Sequence, residues 1–235
     1  MRWPQRYASS WALRSCKELR EAKSVYWRGK RRDNNDLTAD DLALLGTLGS
    51  VLPSLESLSL YVTAAGPDGV QRLAVGLGAG ALLAVTKVDL YGMHVGDAGA
   101  SALAAALDRG ALPRLESLGL NNTTISDAGL VALAPILRRR PALEELYLWD
   151  TPFGDEGLAA LLAPPPPAGA QPPPTGVLTK LELLSLNTTE VTDAGCANLA
   201  AALDSGLLPA LEELALVGIP PACRQRRGES RRVPV

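Results

Sequence analysis

The pattern L-x-x-L-x-L constrains this chain more than any other feature, because it occurs six times at near-regular spacing. It stands at Leu55/Leu58/Leu60, Val85/Val88/Leu90, Leu115/Leu118/Leu120, Leu143/Leu146/Leu148, Leu181/Leu184/Leu186 and Leu211/Leu214/Leu216. Successive copies begin 30, 30, 28, 38 and 30 residues apart. A period of this size marks stacked supersecondary units, each burying its apolar face against its neighbours. The second and third apolar positions lie two residues apart, so in a strand they share one face. The pattern predicts short parallel strands with one buried side.

The spacer between strands is equally regular. Ile125-Ser-Asp-Ala-Gly-Leu130-Val-Ala-Leu133 matches Val95-Gly-Asp-Ala-Gly-Ala-Ser-Ala-Leu103, Val191-Thr-Asp-Ala-Gly-Cys-Ala-Asn-Leu199 and Phe153-Gly-Asp-Glu-Gly-Leu158, with looser copies at Ala65–Val70 and Leu37–Leu42. Thr38, Ser126 and Thr192 are natural helix N-caps, and the Asp that follows Ser126 and Thr192 falls in the first turn, against the positive helix end. Pro67 suits the first helical position. Leu130/Leu133/Leu137 and Leu103/Leu107 give an amphipathic stripe. Gly69, Gly99, Gly129, Gly157 and Gly195 recur inside the first turn. Gly there costs about 0.5–1 kcal/mol relative to Ala, so its return predicts close backbone approach to the neighbouring repeat.

The unit LExLxL…T.I.DAG…ALA..L…LP.L resembles the ribonuclease-inhibitor-like class of leucine-rich repeats, over about Leu37 to Leu216. The resemblance implies an α/β horseshoe solenoid with parallel strands on the concave face and helices on the convex face. Where that family carries Asn after the strand, this chain has Thr63, Met93, Thr123, Thr151, Thr189 and Ile219. A hydroxyl bonds loop backbone less completely than an amide, which predicts a looser ladder there.

Charge divides the chain into three parts. Residues 1–36 hold ten Lys/Arg against four Asp/Glu, and residues 220–235 hold five Arg against one Glu. With a net charge of −2 overall, residues 37–219 carry −12. We therefore read a basic N-terminal helix and linker at 1–36 acting as a cap, a repeat domain at 37–219, and a basic disordered tail at 220–235. The N-terminal segment reads as a helix from Ser9 to Trp27. A further strand placed over Trp27, Lys30 and Arg32 would have one apolar position and is expected to be lost. A proline-rich insertion, 163–175, accounts for the 38-residue spacing and favours polyproline II or disorder. The last strand, Leu211–Leu216, runs into Gly218-Ile-Pro-Pro221, which predicts an exposed edge and self-association through this C-terminal repeat.

Cys16, Cys196 and Cys223 are far apart and spell neither a disulfide framework nor a zinc site. Cys196 falls where other repeats have Ala100 or Leu130 and reads as a small core residue. No signal-like or membrane-length apolar run occurs, so the expected location is cytoplasmic, with no membrane contact. His94 is the single histidine and has no nucleophile pattern beside it. The glycines of Val75–Gly80 follow a helix rather than a strand and read as a helix stop, not a phosphate loop. We expect no catalytic residue, no metal and no cofactor.

The functional signal lies on the strands' outward positions. One column is Glu in five of six repeats (Glu56, Glu116, Glu144, Glu182, Glu212), and another carries Tyr61, Tyr91 and Trp149. Glu145, Tyr147 and Asp150 join them. An acidic surface with aromatic anchors favours a basic protein or peptide and repels nucleic acid. The expected function is a non-enzymatic protein–protein interaction scaffold. Two alternatives come from resemblance: the Ran GTPase-activating protein shares this repeat type, and Trp11–Ala22 resembles the last helix of an F-box, which implies a ubiquitin-ligase substrate receptor.

Overall fold

The computed structural model describes residues 21–29, 37–61, 65–66, 68–163 and 178–219. Among these, seven strands alternate with six α-helices. The strands β1 (Ser24–Arg28), β2 (Ser57–Tyr61), β3 (Lys87–Asp89), β4 (Ser117–Gly119), β5 (Glu145–Tyr147), β6 (Leu183–Ser185) and β7 (Glu213–Ala215) form one parallel sheet in chain order. The helices α1 (Ala39–Leu48), α2 (Gly69–Gly76), α3 (Gly96–Asp108), α4 (Asp127–Arg138), α5 (Asp155–Leu161) and α6 (Asp193–Asp204) each follow one strand. Middle leucines pair straight across, Leu58 with Val88, Leu118, Leu146, Leu184 and Leu214 in turn. The predicted α/β solenoid is the observed one.

The first strand departs from expectation. Ser24–Arg28 is not the end of a helix, nor is the strand lost; it pairs with β2, Val25 opposite Leu58 and Trp27 opposite Leu60. Val25 and Trp27 are buried while Ser24, Tyr26 and Arg28 are exposed. That alternation of β-branched and aromatic residues is a strand signal, and the edge of β2 gives it a partner. The sheet thus extends into the segment assigned to the cap. The rest of the expected helix (Ser9–Arg20), Lys30–Arg32, Thr63, Pro67, residues 164–175 of the insertion and the tail lie outside the described residues.

Three hydrogen-bond rails tie each repeat to the next. In the first, the backbone carbonyl just before each strand accepts two N–H groups from the next repeat: Lys23 from Glu56 and Ser57, Glu116 from Glu144 and Glu145, Glu182 from Glu212 and Glu213, all at 2.7–3.1 Å. In the second, a helix-start carboxylate caps the following helix. Asp97 accepts from Ser126 N (2.8 Å), Ser126 Oγ (2.7 Å) and Gly129 N (3.1 Å). Asp127 accepts from Gly154 N and Gly157 N at 2.8 and 2.7 Å, and Asp155 from Thr192 N at 2.8 Å and Thr192 Oγ at 2.5 Å. In the third, arginines reach back to the preceding helix's C-terminal carbonyls, as Arg109 does to Ala74 and Leu77 and Arg140 to Leu107 and Ala111. Negative charge at helix starts and positive charge at helix ends both oppose the helix dipole favourably.

The second rail explains the recurring glycine. A Cβ on Gly129 would lie 2.5 Å from Asp97 Oδ1, and one on Gly157 would lie 2.8 Å from Asp127 Oδ1. The close approach predicted from sequence is therefore that of the preceding repeat's carboxylate. The first helix varies the rule. Asp41 occupies the glycine position of α1 and itself accepts from Thr38 N (2.9 Å) and Thr38 Oγ (2.7 Å), the donors that Ser126 gives to Asp97. Thr38, Ser126 and Thr192 each cap their own helix as well. On Asp155 burial favours the neutral acid, but the bonds from Thr192 and Gly195 outweigh it and hold the carboxyl below its ordinary range.

The threonines after the strands do not loosen the ladder. Thr123 Oγ donates to Leu120 O (2.8 Å) and Thr189 Oγ to Leu186 O (3.0 Å), while Met93 and Ile219 simply bury apolar surface. The turn backbone remains paired between repeats, Gly92 N to Asn121 O at 3.0 Å, Asn122 N to Trp149 O at 2.8 Å and Asp150 N to Asn187 O at 2.8 Å. The amide function sits two residues earlier instead: Asn121 Oδ1 accepts Trp149 N at 3.1 Å and Asn187 Oδ1 accepts Val217 N at 2.5 Å. Cys196 is buried in α6, as expected, but is disulfide-bonded, which the cysteine spacing did not announce.

Packing weakens at the C-terminal end. Leu184 and Leu181 are fully buried, whereas Leu214 and Leu211 are only partly so, and Val217 is 66% exposed. Asp193, the next carboxylate of the second rail, has no hydrogen bond among the described residues. Asp127→Ala should therefore cost about 2 kcal/mol by stranding two buried N–H donors, and Asp193→Ala less than about 0.5 kcal/mol. Urea unfolding of both variants compares them, and equal losses would contradict the rail. Amide exchange should also be fastest in β7 among the strands and slowest in β4; equal protection of the two in a demonstrated monomer would contradict the exposed edge.

Candidate functional site

The sheet face turned away from the helices presents side chains in columns, because in-register parallel strands align equivalent residues. Towards the strand ends run Arg28, Tyr61, Tyr91, Asn121, Trp149 and Asn187, with Tyr26 two residues back, opposite Ser59. The aromatic members touch in series. Tyr26 and Tyr61 have ring centroids 5.2 Å apart, Tyr61 and Tyr91 5.7 Å, and Tyr91 and Trp149 5.4 Å, with interplanar angles of 47–59°. These are tilted arrangements that aromatic quadrupoles favour. Asn121 intervenes between Tyr91 and Trp149 in the column but is 7% exposed, its amide turned to the Trp149 backbone. The Tyr91–Trp149 contact spans two strand spacings across it.

Asp89 lies within this ladder. Its Oδ2 accepts the Tyr61 hydroxyl at 2.7 Å. Its Oδ1 is buried with no hydrogen-bond partner among the described residues. Gly119 makes room for it, since a Cβ there would stand 2.7 Å from Asp89 Oδ1. Burial, then the bond and charge of Asp89, push the Tyr61 phenol up to about 12. Tyr147 is raised as well, first by burial and then by the charge of Glu145 beside it. Glu145 in turn accepts from Ser117 Oγ at 2.7 Å.

The glutamate column sits elsewhere. Glu56, Glu116, Glu144, Glu182 and Glu212 stand at the strand starts, forming a rim rather than the centre of the face. Glu56 pairs with Lys23 at 3.0 Å across the first two repeats. The carboxylates of the other four have no hydrogen bond or ion pair among the described residues. Half-buried Glu145, Tyr147, Tyr61, Tyr91 and Trp149 thus share the inner face, flanked by the rim. Asp150 belongs to neither; with φ of 55° it is a left-handed turn residue, as Asn122 (51°) and Thr188 (55°) are in their repeats.

Two participants escaped sequence reasoning. Tyr26 was assigned to a helix, although Ala22, Val25 and Trp27 fit the A-x-x-V-x-W form of the repeat. Asp89 carries no signal in the sequence, because its contact depends on a glycine one strand away. His94 is exposed. Among the described residues no group of His, Cys, Asp or Glu is placed to hold a metal, and no helix is long and apolar enough to cross a membrane.

Tyr61 can be followed directly. Subtracting the alkaline absorbance titration of Tyr61→Phe from that of the intact protein should give a phenol ionising near 12. In Asp89→Asn its midpoint should fall towards the ordinary value near 10. An unmoved midpoint would remove Asp89 as its partner.

Comparison with known proteins adds the family. A model described as "Leucine Rich repeat" matches residues 112–134, the stretch holding β4 and the first two turns of α4. Comparison with curated proteins gives no match. Among solved structures, the chain is similar to "Leiomodin-1 Actin-Binding Site 2 (ABS2)", with 13% identity over 91% of each chain and a TM-score of 0.43. The matched unit recurs in sequence and in the sheet from β2 to β7, and the chain is a leucine-rich repeat protein.

Proposed function

We propose that the chain is a non-enzymatic interaction scaffold that binds a basic protein or peptide on the free face of its sheet. The observation that carries this reading is the Tyr26–Tyr61–Tyr91–Trp149 ladder on an acidic solenoid. Aromatic residues anchor interfaces, and each buries large area with little loss of side-chain freedom. The free carboxylates of Glu116, Glu144, Glu182 and Glu212, with Glu145 inside them, favour cationic partners and speed their encounter. The same field disfavours nucleic acid, whose phosphates need a basic footprint. The 28–30-residue units, with a helix after each of the first six strands, favour the ribonuclease-inhibitor-like class.

The two alternatives gain no observation. A GTPase-activating role rests on shared repeat type, which does not transfer function. A ligase-receptor role rests on Trp11–Ala22, of which residues 11–20 lie outside the described residues. Self-association through the C-terminal repeat rests on the partly buried β7 alone.

The test is a truncation series against the native partner. Trp149→Ala or Tyr147→Ala should each cost about 2 kcal/mol or more of binding. Glu144→Gln and Glu212→Gln should chiefly slow association and flatten its salt dependence. Binding that survives Trp149→Ala and Tyr147→Ala together, or that maps to the helices or the proline-rich insertion, overturns the reading.

A further inference from the structure

We infer that the occupant of this face is a basic amphipathic α-helix lying across the strands, parallel to the sheet's direction of growth; the inference rests on the binding reading above. The first argument is the state of the sheet. Its strands are paired edge to edge from β1 to β7, so their N–H and C=O groups are spent within the sheet. A ligand on the face meets side chains alone. An extended peptide there would gain no main-chain bonds and would leave its own polar backbone to water or side chains. A helix brings its backbone already bonded.

Spacing gives the second argument. Neighbouring strands lie about 4.8 Å apart, so Glu116, Glu144, Glu182 and Glu212 on consecutive strands span about 14 Å. A helix rises about 5.4 Å per turn, and a Lys or Arg once per turn meets these carboxylates nearly one for one. An extended chain repeats a face about every 6.8 Å, roughly 1.4 strand spacings, and so supplies about three side chains to the four carboxylates with the inner ones out of step. The four carboxylates have no competing hydrogen bond or ion pair among the described residues.

Width is the third. On β5, Glu145 and Trp149 share the outward set four residues apart, about 13 Å of strand. A helix with side chains is about 10–12 Å across, so one helix lying between them touches both the ladder and the acidic side of the face. The ladder's rings contact each other at 5.2–5.7 Å, which leaves no slot between rings for a single inserted side chain. They offer instead a continuous apolar surface, which an apolar helix stripe matches. The ladder covers β1 to β5 and the free carboxylates cover β4 to β7. The two overlap at β4 and β5, where the helix presents its apolar stripe to the ladder and its basic residues to the carboxylates.

The experiment uses the full chain and synthetic peptides of about 18 residues, long enough for the span, read by fluorescence anisotropy. One peptide carries Lys once per turn beside a Leu/Trp stripe. A second has the same composition with a central Pro pair, and a third is scrambled to lose the stripe. The helical peptide should bind about tenfold or more tighter than either control, since interior proline disfavours helix strongly. Trp149→Ala should weaken it about thirtyfold, and the Glu144→Gln/Glu182→Gln pair about fivefold, with a shallower salt dependence. If the broken or scrambled peptide binds equally tightly and Trp149→Ala abolishes both, the helix is overturned while the basic-partner reading stands. If the helical peptide binds these variants as tightly as the intact protein, the face itself is wrong and both fall. Absence of binding by the helical peptide overturns the helix, and the native-partner truncations then judge the face separately.

Discussion

A carboxylate handed from one helix to the next holds this solenoid in step. Asp97, Asp127 and Asp155 each begin a helix, yet the hydrogen bonds they accept come from the following repeat. The first-turn N–H groups of a helix have no partner within it, so the cap answers an obligation that each repeat cannot meet alone. The bond also sets distance. It forms only where the receiving helix has glycine, because at 2.2–2.8 Å from the carboxylate there is no space for a Cβ on Gly129, Gly157 or Gly195. Asp and Gly, two residues apart within each repeat, are thus one interaction divided between neighbours. Arg109 and Arg140 complete it from the other end of the helix.

A rule of this kind implies its own boundaries. At α1 the glycine is replaced by Asp41, which closes the cap internally and leaves no place for an incoming carboxylate. At Gly99 the Asp position of the preceding repeat is Pro67, and the contact is apolar instead, with Val95 and Val70. At Asp193 the carboxylate is offered and, among the described residues, not taken. The stiffest stretch of the solenoid therefore runs from α3 to α6, where three consecutive caps are complete. It is also where β4 to β6 have their middle leucines, Leu118, Leu146 and Leu184, fully buried.

Much of this was legible in sequence because it repeats. Period 30 gave the units, the Leu58/Leu60 type of spacing gave the strand faces, and Thr38, Ser126 and Thr192 gave the helix starts. What could not be read were contacts between residues that periodicity treats as independent. Asp127 was placed against its own helix dipole, since nothing local says that its oxygens point at Gly154 and Gly157. The threonines looked like weak substitutes for Asn because the compensating amides, Asn121 and Asn187, stand at another position of the repeat. β1 was missed for a different reason: Ala22 replaces the first leucine, so pattern matching on leucine lost a strand that burial of Val25 and Trp27 secures. On the sheet face turned away from the helices, the columns were legible but their connections were not. That Tyr91 reaches Trp149 over a turned-down Asn121 depends on rotamers, which composition does not encode.

The division of labour along each strand explains how such a face can carry specificity without endangering the fold. Inward positions are leucine or valine with few exceptions, while outward positions range through Ser57, Lys87, Glu145 and Leu183 in a single column. Backbone pairing is indifferent to that choice, so outward residues can be set by a ligand alone. Asp89 is the exception. It shares its bond with Tyr61, leaves its second oxygen buried and unbonded, and needs a bare Gly119 beside it. A half-buried carboxylate whose inaccessible oxygen lacks a hydrogen bond is costly, and neither the rails nor the core requires one here. Its effect is local: it fixes the Tyr61 hydroxyl, and through the ring contacts the attitude of Tyr91 and Trp149. The ladder is thereby ordered within the chain itself, and on the proposed binding reading that order lowers the entropy lost when a partner docks.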